Sequence, residues 1–246
     1  MANGFDPRAT ARPQPGMAGV GTESVAFDAG LRSYMLSVYN YMTSGVLLTG
    51  IVALLFANSG MAAQVLMGPG LLKYVIMFAP LAFVMVLSFG INRLSTGTAQ
   101  ALFWAFAVVM GLSLSSIFLI FTGQSIATTF FATAAAFASL SLWGYTTKKD
   151  LSGWGSFLLM GVVGLIIASL INLFLQSSAL QLAVSFIGVL LFAGLTAYDT
   201  QRIKSLYFHV AGSDMMGKTA IMGALSLYLD FVNMFTFLLQ FMGNRE

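Results

Sequence analysis

Residues 154–175 read WGSFLLMGVVGLIIASLINLFL, twenty-two residues without a single charge. A bilayer core about 30 Å thick needs about 20 apolar residues at 1.5 Å rise each, so this stretch predicts a transmembrane α-helix. Six more stretches pass the same test: residues 34–57, 72–91, 99–121, 126–146, 180–200 and 220–241. Polar and Gly-rich breaks separate them, among them Asn58-Ser59-Gly60, Thr122-Gly123-Gln124-Ser125 and Lys148-Lys149-Asp150. The sixth connection is the longest, from about Gln201 to Thr219, and holds Arg202, Lys204, His209, Asp214 and Lys218.

Composition agrees. Of 246 residues, 58% are hydrophobic and 8% charged, against roughly 25% charged in soluble domains. The fold class expected is an all-α membrane protein with seven transmembrane helices in residues 31–246, preceded by a mobile tail over residues 1–30. The tail holds Arg8, Arg12, Pro13 and Pro15 and no apolar run, so no cleavable signal peptide is expected. There is no cysteine and only one histidine, His209, which excludes thiolate or His-rich metal sites. A net charge of +3 gives no reason to expect nucleic-acid binding.

Charge orients the bundle. With the N-terminus in the cytoplasm, that side receives Arg8, Arg12, Arg32, Arg93, Lys148, Lys149, Arg202, Lys204 and Lys218, and the far side only Lys73 and Arg245. The bias fixes six spans. Only Arg245 and Glu246 follow the seventh, so a re-entrant last helix fits the charges equally well. Small residues (Gly45, Gly50, Ala132, Ala134, Ala135, Ala136, Ala138, Gly161, Gly164) are expected to face other helices, because close backbone approach drives association in lipid.

Ionisable groups inside a membrane are costly and face the bundle interior. Six of the eight acids lie in tails or loops. Asp230 sits well inside the seventh span, about 18 Å beyond Lys218 at 1.5 Å per residue. Ser226 and Asn233 fall on its face at i−4 and i+3. Asp199 lies near the cytoplasmic end of the sixth span, where Arg202 at i+3 offers it a surface ion pair worth little. If the two aspartates touch, they share a proton and titrate as a pair. Such a dyad can sense pH, relay protons, bind a hard cation or serve as an acid–base pair. Asn172 is expected to hydrogen-bond between helices. Tyr39 and Tyr41 flank Asn40 as ordinary interfacial anchors. Arg93 either snorkels to the headgroups or pairs with Asp199 as a latch.

Four stretches carry a family resemblance. They are Ala29-Gly30-Leu31-Arg32-Ser33-Tyr34-Met35 leading into Val38-Tyr39-Asn40-Tyr41-Met42; Gly144-Tyr145-Thr146-Thr147-Lys148-Lys149-Asp150-Leu151-Ser152; Thr196-Ala197-Tyr198-Asp199-Thr200-Gln201; and Ala224-Leu225-Ser226-Leu227-Tyr228-Leu229-Asp230-Phe231. With them the chain resembles the Bax inhibitor-1 family, its bacterial members above all. The resemblance implies a seven-helix fold whose last helix is surrounded by the other six. It implies a pH-sensitive calcium leak, with calcium the transported ion and no resident cofactor. It implies that Asp199 and Asp230 form the pH-sensing dyad and Arg93 the latch, in a bacterial inner membrane. Two carboxylates are few for an ion that takes about six to eight oxygens, so Asn233, Asn172, carbonyls and water must supply the rest.

Two other roles are weighed. A membrane scaffold that regulates a protease or a death or stress pathway is consistent with the resemblance. Intramembrane aspartyl proteases are similar in placing paired aspartates on consecutive helices, where they activate water. Here Tyr228-Leu229 stand where that family has glycines before its second aspartate, and no proline-rich motif follows. The expectation is therefore a non-enzyme whose partners are lipid, calcium and protons. No lysine lies within the seventh span, which excludes a retinal protein.

Overall fold

Seven helices of the computed structural model are long and apolar enough to cross a membrane. The structure describes the backbone of residues 18–245 and the side chains of residues 29–245; residues 1–17 of the expected tail lie outside the described residues. In chain order the helices are α1 (Ala18–Asn58), a short π-helical turn (Ala63–Met67), α2 (Leu72–Gly90), α3 (Thr96–Leu114), α4 (Ile117–Ile120), α5 (Gly123–Thr146), α6 (Ser152–Leu175), α7 (Ser178–Val210) and α8 (Met215–Met242). The third span is α3 continued through a turn into α4, Thr96–Ile120. The described chain is all-α, with one isolated bridge, Phe121 to Arg245.

Helix starts are set by side chains that accept orphan backbone N–H groups. Ser95 accepts from Thr98 N at 3.1 Å, Thr122 from Ser125 N at 3.3 Å and Ser177 from Leu180 N at 3.3 Å. The bundle's outside is apolar, as lipid permits: Phe89 and Phe174 are more than four-fifths exposed.

α8 is a continuous helix of 28 residues, so the last helix is a full-length span and not a re-entrant one. It is also the most buried. Over its most apolar window 56% is buried, against at most 33% in any other span and 11% in α2 and α6. Its main packing partners are α7, α1, α5 and α3, while α2 packs on α3 and α6 on α7. The described contacts thus give α8 four principal neighbours, where the resemblance implied six.

Two further expectations change. The long sixth loop does not form: α7 continues ten residues past Thr200 to Val210, leaving only residues 211–214 as a turn. Ile203 and Tyr207 of that extension are buried, so it is an amphipathic helix end. Hydropathy alone reads such an end as loop because of Arg202 and Lys204. The helix of α1 begins at Ala18, and its apolar spanning part is Ala29–Asn58. The small residues divide. Gly45 meets the Phe103 and Tyr228 rings and Gly161 meets Leu191, but Gly50 and Gly164 have nothing within 4 Å. Ala132, Ala135, Ala136 and Ala138 are exposed, because alanine facing lipid costs nothing.

Candidate functional site

The α7–α8 hairpin positions the two aspartates. Its turn is closed by Gly212 at φ +74°, a left-handed conformation that glycine adopts without steric cost. Asp199 lies eleven residues before Val210 and Asp230 fifteen after Met215. These are about 16 and 22 Å from the turn at 1.5 Å per residue. Asp199 is therefore well inside its helix rather than near its end. Gly223 packs on Ile203 and Gly188 on Phe237. That antiparallel register sets Ser226 level with Asp199, and Thr196 level with Asp230.

Asp230 is 4% exposed, and its Oδ2 has no hydrogen-bond partner. Asp199, half-buried, is close enough to act on it electrostatically. The two predicted aspartates are thus within electrostatic reach of one another, with no hydrogen bond between them. The cation that acts on Asp199 is Arg202, one turn on; Arg93 is exposed at the end of the second span. The predicted supporting groups are engaged elsewhere. Asn233 donates to the Leu229 carbonyl at 2.8 Å and lines a cavity of about 390 Å³ with residues of α6. Asn172 accepts from Ser177 N at 3.0 Å, capping the end of α6. Ser226 is half-buried. No three His, Cys, Asp or Glu side chains among the described residues cluster as a metal site.

Two hydroxyl chains bolt the surrounding helices, and their donors can be assigned. Thr200 Oγ1 gives its proton to the Thr196 carbonyl at 2.7 Å. Ser141 must therefore donate to Thr200 at 2.9 Å, and Tyr39 to Ser141 at 2.6 Å. Likewise Thr49 Oγ1 donates to the Ala107 carbonyl at 2.8 Å, so Tyr228 donates to Thr49 at 2.7 Å. Each chain ends on a backbone carbonyl, so it holds helices together and leads no proton to Asp230. Tyr39 was expected only to anchor the interface. Its partners lie 102 and more residues away, and nothing local in the sequence pairs them.

A family model described as inhibitor of apoptosis-promoting Bax1 matches residues 31–246. The chain belongs to the Bax inhibitor-1 family. It is 49% identical to a protein of Rickettsia prowazekii over 226 residues, covering 92% of this chain and 95% of that one. It is 48% identical to the inner membrane protein YbhL of Escherichia coli over 220 residues, 89% and 94% of the two chains. It is 47% identical to a Caulobacter vibrioides protein over 234 residues, 90% and 93%.

In this Bax inhibitor-1 family protein the four motif stretches converge on α7 and α8. From the first, Tyr34 packs on Tyr207 with ring centroids 5.4 Å apart. From the second, Gly144 lies against the Ala197 backbone, where any Cβ would strike the carbonyl oxygen. The loop that follows is held by Gln201, which accepts from Leu151 N and donates to the Lys149 carbonyl, both at 2.8 Å. Gln201 closes the third stretch, yet its clamp could not be read from sequence, because its partners lie 50 and 52 residues away.

Proposed function

We propose that this membrane protein is a pH-sensitive calcium leak in which Asp199 and Asp230 act together as the gate. The supporting observation is the buried Asp230 carboxylate. One of its oxygens is unpartnered, it sits mid-way along the most buried helix, and Asp199 is within electrostatic reach. An ionisable group left without a partner at that depth is costly, and such groups mark ion and proton pathways. Acidic side chains are also what cation pathways use. A pair without a third acidic ligand suits transient contact with a cation rather than retention. By the positive-inside count the N-terminus is cytoplasmic, and the likeness to an inner membrane protein supports the same membrane here.

The test is calcium flux into liposomes containing the purified protein, measured across the neutral pH range. Flux dependent on protein and on pH is expected, with the pH dependence lost in Asp199→Asn and Asp230→Asn. Flux equal to that of protein-free liposomes overturns the leak. A wild-type pH profile in both variants overturns the dyad.

A further inference from the structure

We infer that the cleft between α1 and α5 is a binding site for one anionic phospholipid, its acyl chain lying along α8 and its phosphate held by Arg32 and Lys204. α1 and α5 each pack on α7 and α8 but are not packed along one another. The space between them is a cavity of about 830 Å³, floored by Phe231 and walled by Met42, Val46, Phe137 and Ala138. A second cavity of about 330 Å³ shares Val46, Phe130 and Phe231 with it and continues to Ala53. From Arg32 to Ala53 the cleft follows α1 for about 32 Å at 1.5 Å per residue, the depth of a bilayer core.

The rim says what enters. Leu36, Leu47 and Leu142 line the cavity and are exposed, so it opens sideways into the hydrocarbon. Its walls are mostly apolar and its mouth faces hydrocarbon, so in a membrane lipid chains fill it. No acidic side chain lines either cavity, and the one charged lining residue is Arg32. Tyr145 lines the same cavity. Its carbonyl accepts from Lys204 Nζ at 2.8 Å, and its ring lies under that ammonium at 4.7 Å. Arg32 lies at the start of the spanning part of α1, and Tyr145 lies at the end of α5, so both cations mark the same end. An ammonium has three donors, and Lys204 spends one on Tyr145. A long apolar trough with two cations at one mouth complements an amphiphile with an anionic head. The bilayer supplies phospholipids of that kind at that depth.

The site stands apart from the calcium reading, since none of its groups needs to titrate or conduct. Its test is native mass spectrometry of the full chain in mild detergent. Phosphatidylglycerol and phosphatidylethanolamine with identical acyl chains are titrated in turn, and thermal midpoints are read in parallel. One phosphatidylglycerol retained per chain in preference to phosphatidylethanolamine is expected, with a raised midpoint. Arg32→Gln and Lys204→Gln should each weaken it roughly fivefold, the equivalent of about 1 kcal/mol per basic residue near a headgroup. Ala138→Trp, at an exposed cleft residue, should abolish retention while leaving the helical circular dichroism unchanged. Equal retention of the two lipids, unaltered by both cation variants, overturns the headgroup assignment. Retention unchanged in Ala138→Trp overturns the cleft as the seat. A dimer that Ala138→Trp dissociates shows that a second copy fills the cleft, and overturns the lipid.

Discussion

Tyr228 on α8 donates its proton to Thr49 on α1 across 2.7 Å, and Thr49 passes its own to the Ala107 carbonyl of α3 at 2.8 Å. Three helices are thereby joined at one buried point. The direction of donation makes the two ends unequal. Tyr228→Phe removes one interhelical bond and leaves Thr49 paired, a loss of about 0.6 kcal/mol. Thr49→Val strands the buried Tyr228 hydroxyl, costing about 1–3 kcal/mol, while the Ala107 carbonyl keeps its bond within α3. Unfolding in detergent should rank Thr49→Val as the less stable. The opposite ranking sinks the donor assignment.

Gly144 has no room for a side chain, because the backbone of Ala197 occupies the place of its Cβ. Backbone cannot rotate away as a side chain can, so Gly144→Leu must separate α5 from α7 along their contact. A large drop in folded yield is expected by size-exclusion chromatography. Gly50→Ala, on a helix face with nothing within 4 Å, should leave yield unchanged or raise it slightly. Normal yield and midpoint in Gly144→Leu argue against the close approach.

Gln201 holds residues 149 and 151 through both ends of one amide. Gln201→Met keeps the length and removes both bonds. With each bond worth about 0.5–1.5 kcal/mol, the loop should open roughly tenfold more often. Cleavage at the exposed Lys148 and Lys149 by trypsin follows that open population, and its rate in detergent measures it. Equal rates in both proteins would show that the clamp holds nothing.

Asp150 lies in the same loop, outside the spans, and accepts from Ser152 N at 2.9 Å. Its hydrogen bonds to Ser152 hold the carboxyl below its ordinary 3.8. A depressed value contributes stability above that ordinary value and loses it only as pH falls through the lower one. Asp150 is therefore ionised throughout the neutral range. Asp150→Asn should leave the pH profile of calcium flux unchanged, and a shifted midpoint in that variant would move the sensor into the loop.

Much of this was legible in the residues. Trp154 to Leu175 could be nothing but a span, since a run that long and that apolar has no other stable place to go. Asp230 was legible for the converse reason: one carboxylate in an apolar helix must face protein or water. The end of α7 was not, because Arg202 and Lys204 resemble loop residues until Ile203 and Tyr207 are seen to be buried. Neither was the exposure of Ala135 and Ala136, since a small residue looks the same whether it faces a helix or lipid.

The seven crossings thus follow from the sequence by itself, because a bilayer imposes its length and polarity on each segment separately, without reference to the others. Which helices touch is a different kind of fact. The pairing of Gly144 with Ala197, the partners of Tyr39 and Gln201, and the open cleft between α1 and α5 depend on side-chain shapes meeting across 50 residues or more. Lipid is indifferent to which apolar face is turned toward it, so hydropathy carries no record of that choice, and only the packed bundle decides it.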